Sequence, residues 1–188
     1  MSKFEGPVSG IFNSLDSGGA DFVSACNQLD SEIFDEAKFS PDIFSGLIDV
    51  LQDTRLHGLN DSVFLLKIFE YNVDLLDEGQ CGCFVSILKS TFGLFSDEAA
   101  SILSVELLVE IGDGSVVFDF FKTFASKSTA SKVQCLAVHG FSWLVKKTDN
   151  NHLRGLCLAE LSKVADFKNG AASAEAEIEL RRRAAHPR

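Results

Sequence analysis

The residues best equipped for chemistry in this 188-residue chain are five cysteines, four histidines and a recurring set of carboxylates. Cys135 and His139 stand one helical turn apart, so a thiol and an imidazole could meet as nucleophile and base. Their neighbours Leu136, Val138 and Phe141 favour packing instead. Cys81-Gly82-Cys83 resembles half of a metal site. On a helix, however, residues two apart point about 200° away from each other, and no second Cys or His pair follows at finger spacing. His57 and His152 fall in turns or at helix starts, and His186 lies near the C-terminus.

The carboxylates carry the stronger signal. Glu70, Asp74 and Asp77 are spaced i, i+4, i+7, which predicts one shared helix face. Glu106, Glu110 and Asp113 repeat them 36 residues later, whereas the next copy has Ser142, Lys146 and Asp149, so the stripe ends there. Paired carboxylates can act as acid and base in hydrolysis only where a cleft separates their pKa values, and a convex helix stripe offers none. Two readings remain: a charged face that keeps the helices solvated, and a surface matched to a cation-rich protein. No phosphate loop, G-x-S-x-G elbow, H-E-x-x-H or G-x-G-x-x-G pattern occurs. The expectation is a non-enzymatic chain with no catalytic residue, no metal site and no cofactor.

Charge is uneven along the chain. Residues 1–120 hold 5 Lys or Arg against 21 Asp or Glu, and residues 121–188 hold 12 against 6. An acidic body of that kind suits a basic protein and disfavours nucleic acid, whose phosphates need a basic surface. No apolar stretch reaches the 18 residues a membrane span needs; the best, near 102–111, is broken by Glu106 and Glu110. The opening MSKFEGPVSG lacks a basic region followed by an apolar run. With an odd number of cysteines at core-like positions, the expectation is reduced thiols and a cytoplasmic setting.

The elements that must position these residues come in copies. Leu66, Ile102 and Val138 share one register of a 36-residue period; so do Phe69, Val105 and Phe141, and Val73, Val109 and Val145. A second set aligns Cys81, Val117 and Leu153, then Phe84, Phe120 and Leu156, then Val85, Phe121 and Cys157. Each copy therefore reads as two amphipathic helices. Turns fall at Asp77 to Gly79, Gly112 to Gly114 and Thr148 to Asn151. Seventeen Phe against one Trp and one Tyr suggest a thick helix-to-helix core that needs few buried polar partners. Residues 1–60 fit the register poorly and read as an N-terminal helical cap, with Ser40-Pro41 as a helix start. Residues 171–188, rich in Ala, Glu and Arg, read as a charged helical or disordered tail.

The segments VFLLKIFEYNV (63–73), SILSVELLVEI (101–111) and KVQCLAVHGFSWLV (132–145), each followed by a second helix, resemble the HEAT and armadillo class of α-solenoids over residues 61–168. The resemblance implies an all-α fold: a short right-handed solenoid of about three antiparallel helical pairs, forming one domain over 1–170. It also implies binding of proteins or peptides on a repeated surface. By size and charge alone the chain is similar to the immunity proteins of bacterial toxin systems, which occlude a basic toxin. The expectation is thus an acidic inhibitor whose partner surface comprises Glu70, Asp74, Asp77, Glu106, Glu110 and Asp113. The alternative is a scaffold or adaptor subunit that self-associates or joins a larger assembly.

Overall fold

A computed structural model describes residues 8–33, 42–126, 129–168 and 170–185, and among them the chain is all α-helical, with no strand. It divides into two compact units, Met1–Ser104 and Val105–Arg188. The Ser40-Pro41 helix start and His186 lie outside the described residues.

The first unit contains α1 (Val8–Ser14), α2 (Gly19–Ile33), α3 (Asp42–Leu51), α4 (Thr54–Gly58), α5 (Val63–Asn72), a 3-10 turn (Val73–Leu75) and α6 (Glu78–Ser90). Helix α1 packs on α2 and α3, α2 on α5, and α3 on α6. Phenylalanine joins three of these helices: Phe69 of α5 stacks on Phe84 of α6, centroids 4.1 Å apart and 17° between planes, and meets Phe44 of α3 at 6.0 Å. All three rings are fully buried. Rings supply this bulk without polar atoms that would need partners.

Helix ends in this unit are held by carboxylates. Asp53 caps α4 by accepting from Arg55 N, and its side chain also pairs with the Arg55 guanidinium at 2.8 Å. That guanidinium holds the Asp53 carboxyl below its ordinary range, chiefly through the hydrogen bond. Asp97 serves two helices. Its Oδ1 accepts from Ala99 N and Ala100 N at the start of α7 (Glu98–Ile111), and its Oδ2 accepts from Val63 N, 3.1 Å away at the start of α5. Ser62, the residue before α5, makes no side-chain cap bond itself. Asp97→Ala should therefore lower stability by about 1–2 kcal/mol in urea unfolding, since it uncovers N–H groups on two helices, while Asp97→Asn, which keeps one acceptor oxygen and puts an NH2 donor in place of the other, should restore only the part that belongs to one helix.

The second unit begins within α7 and adds α8 (Gly114–Phe124), α9 (Ser131–Lys147), α10 (Asn151–Asp166) and α11 (Ala171–Ala185). Helix α9 packs on α8, α10 and α11, and α10 also packs on α11. The turns within the helical pairs are capped by Asp113, whose carboxylate accepts from Ser115 N and Val116 N at the start of α8, and by Asn150, which accepts from His152 N and Leu153 N at the start of α10. Helix α11 is more closely tied in than a charged tail: Ala172, Ser173 and Ala176 are buried, Ser173 donates to Ala165 O, and Arg183 reaches Ser142 O. Small residues on one face let it approach α9 and α10 closely.

The repeat columns have unequal fates. Phe69, Val105 and Phe141 are all fully buried. In contrast, Phe84 is fully buried, Phe120 is half-buried and Leu156 is 38% exposed, while Leu153, Cys157, Leu161 and Val164 fill the core side of α10.

Candidate functional site

The six carboxylates singled out by spacing do three different jobs. Helix α5 ends at Asn72, whose buried side chain turns back to donate to Ile68 O at 2.8 Å; its own backbone leaves the helical region at φ −126°. Such side-chain bonds to the preceding turn compete with continuation of a helix. Asp77 therefore does not share a helix face with Glu70, correcting the i, i+7 geometry inferred from spacing. It sits at the start of α6 and forms a capping box: Gln80 N donates to Asp77 Oδ1 at 2.8 Å, and Asp77 N donates to Gln80 Oε1 at 3.1 Å. Asp113 caps α8 in the corresponding way, without the reciprocal bond.

Glu106 and Glu110 are engaged within the second unit. Glu106 Oε1 lies 3.0 Å from His139 Nε2, and Glu110 is paired with Lys147. The His139 ring in turn stacks on Trp143, centroids 6.1 Å apart, and the Lys146 ammonium lies 3.9 Å from that ring's centre. The end of the acid stripe in the third copy now has a structural meaning, because helix α9 presents basic groups to the acids of α7. The signal was present in the sequence as His139, Lys146 and Lys147, though spacing alone does not say which face of α9 meets α7.

Glu70 and Asp74 are left. Both are exposed, and neither has an ion-pair partner among the described residues. Between and beside them stand two large exposed apolar side chains, Tyr71 at 61% and Leu75 at 47%. Each free carboxylate thus stands next in the chain to a large exposed apolar side chain, Glu70 beside Tyr71 and Asp74 beside Leu75. Sequence reasoning missed Tyr71 and Leu75, although Tyr71 is the one tyrosine of the chain and lies out of phase with the core positions Leu66 and Phe69.

The thiols are all unpaired. Burial lifts Cys26 and Cys157 to about 12, and burial followed by the negative charge of Glu175 raises Cys135. A raised pKa is the opposite of what a nucleophilic thiol requires, and the His139 Nε2 beside it in sequence is directed at Glu106. Cys81 directs its thiol to Leu76 O, at 3.9 Å, while Cys83 is exposed. At pH 8 in the folded protein, Cys83 should accept a maleimide within minutes, while Cys26 and Cys157 stay unlabelled until denaturant is added. Peptide mass spectrometry checks this, and early labelling of Cys157 would contradict the packing described. Among the described residues no three His, Cys, Asp or Glu side chains gather as metal ligands, and no helix is long and apolar enough to cross a membrane.

Comparison with family models, with curated proteins and with solved structures gives no significant match for this chain.

Proposed function

We propose that the chain is a non-enzymatic protein-binding module, built as a short HEAT-like array of helical pairs, whose partner presents a basic surface. The observation that carries the reading is the patch of Glu70, Tyr71, Asp74 and Leu75, where two unpaired carboxylates border two exposed apolar side chains. Buried aromatic anchors provide most of the affinity in protein interfaces, and rim charges govern the rate of capture. The field around the patch has the same sign: Met1–Ser104 holds 5 Lys or Arg against 17 Asp or Glu, whereas Val105–Arg188 holds 12 against 10. On this reading the partner surface is Glu70 and Asp74 rather than all six acids. The other four are engaged in caps and ion pairs.

Among such modules, an inhibitor of the immunity type fits best, because a small acidic body that occludes a basic toxin needs a steering field and an apolar anchor, and no reacting group. Five cysteines without a disulfide among them suit a reducing, cytoplasmic compartment, where such an inhibitor would work. Isolation from the native source tests the proposal. A basic protein should co-purify with the wild-type chain and be lost with Glu70→Lys/Asp74→Lys, while helix content is unchanged. Equal recovery with the double variant would refute the site.

A further inference from the structure

We infer that a cavity between α2 and α5 receives an arginine side chain of the bound protein. The inference rests on the proposed acidic face, of which it is the continuation through Tyr71. The cavity has a volume of about 170 Å³ and is lined by Cys26, Asn27 and Asp30 from α2 and by Phe64, Lys67 and Tyr71 from α5. A void of about 150 Å³ is enough for a benzene ring, so a planar guanidinium with part of its stem fits.

Asp30 supplies the reason for a cationic occupant. Its Oδ1 is shut off from solvent and accepts no hydrogen bond. A buried acceptor without a donor carries a desolvation cost, larger for a charged group, that an incoming donor removes. Lys67 lines the same cavity, but its ammonium lies over the Phe64 ring, 5.4 Å from the centre, and forms no ion pair with Asp30. Guanidinium is favoured over ammonium on two grounds. Its flat face can lie on an aromatic ring such as Tyr71, and its fork of donors matches a carboxylate. In this arrangement Lys67 works against the occupant as a like charge, and removing it should tighten binding.

The probe is N-acetyl-arginine amide, titrated into the full-length ¹⁵N-labelled protein and followed by amide chemical shifts. Saturable shifts are expected at Asp30, Lys67 and Tyr71, with at least tenfold weaker binding in Asp30→Asn and two- to fivefold tighter binding in Lys67→Met. The citrulline analogue, neutral and of the same shape, should produce no saturable shift. Citrulline binding as well as arginine, persistence of binding in Asp30→Asn, or weaker binding in Lys67→Met would each overturn the assignment. The last of these would mean that the cavity takes a group with its own negative charge. Unfolding curves of both variants keep the result readable, because neither substitution removes core volume. The arginine titration does not involve the protein partner. If it succeeds while partner capture is indifferent to Glu70 and Asp74, the cavity stands and the proposed face falls; the reverse pattern retains the face and removes the cavity.

Discussion

Phe69→Ala should cost roughly 3–5 kcal/mol of unfolding free energy, the range for emptying a buried phenylalanine site. The ring is fully buried and stacked 4.1 Å from Phe84, with Phe44 tilted against it at 6.0 Å. Its removal leaves a cavity bordered by two further rings from α3 and α6, neither of which can collapse into it without losing its own contacts. Aromatic pairs also contribute about 0.5–1.5 kcal/mol beyond their buried area, which places the expectation at the upper end. Urea unfolding followed by far-UV ellipticity measures this directly. Phe69→Leu, which keeps most of the volume, should recover more than half of the loss. A cost below about 1 kcal/mol would mean that α3, α5 and α6 are not joined through this stack.

The second large effect comes from adding an atom. A Cβ on Gly140 would lie 2.3 to 2.6 Å from three ring carbons of Phe121, which is itself fully buried and edge-on to Phe141 at 6.1 Å. The ring has no free space to retreat into, so α8 and α9 must separate. Overpacking of this kind typically costs about 1–3 kcal/mol, and so close an approach belongs at the top of that range or beyond. The gain of about 1 kcal/mol in helix propensity from Gly to Ala opposes it. The net expectation for Gly140→Ala is a loss of about 2–3 kcal/mol. The same substitution at Gly155, in mid-α10 with nothing within 4 Å of the added carbon, should instead stabilise by about 0.5–1 kcal/mol. Opposite signs for one chemical change in two neighbouring helices are the expected result. The fluorescence of Trp143, the one tryptophan, reports unfolding of this unit in both variants. A neutral Gly140→Ala would contradict the packing of α9 on α8.

Much of the fold was legible because apolar periodicity and turn chemistry agreed. The 36-residue shift placed a helix at each of α5 to α10, and the Asp and Asn residues at the turns marked the helix starts at Asp77, Asp113 and Asn150. VVFDFF (116–121), apolar and β-branched enough to read as a strand by itself, lies within helix α8. The candidate site was less legible for two physical reasons. Spacing assumes an unbroken helix, and the Asn72 side-chain bond to Ile68 O ends α5 before Asp77 can join its face. Spacing is also blind to neighbours: Glu106 and Glu110 look like Glu70 and Asp74 in sequence, but His139 and Lys147 occupy them. Charge composition could not separate a structural acid from a free one, and packing did. Nor could the pattern foresee Asp30, whose buried oxygen matters only because α5 lies over α2.

The central claim is that Glu70 and Asp74 meet the partner, whereas Glu106 and Glu110 hold α7 to α9. The most direct test compares two double charge reversals against the co-purified partner, by stopped-flow association and equilibrium affinity at low and physiological salt. Glu70→Lys/Asp74→Lys should slow association at least tenfold at low salt and lessen its salt dependence, with unfolding free energy within about 0.5 kcal/mol of wild type. Glu106→Lys/Glu110→Lys should do the reverse, lowering stability while leaving affinity within about twofold in the fraction that folds. Unchanged association and affinity in the first variant would contradict the account.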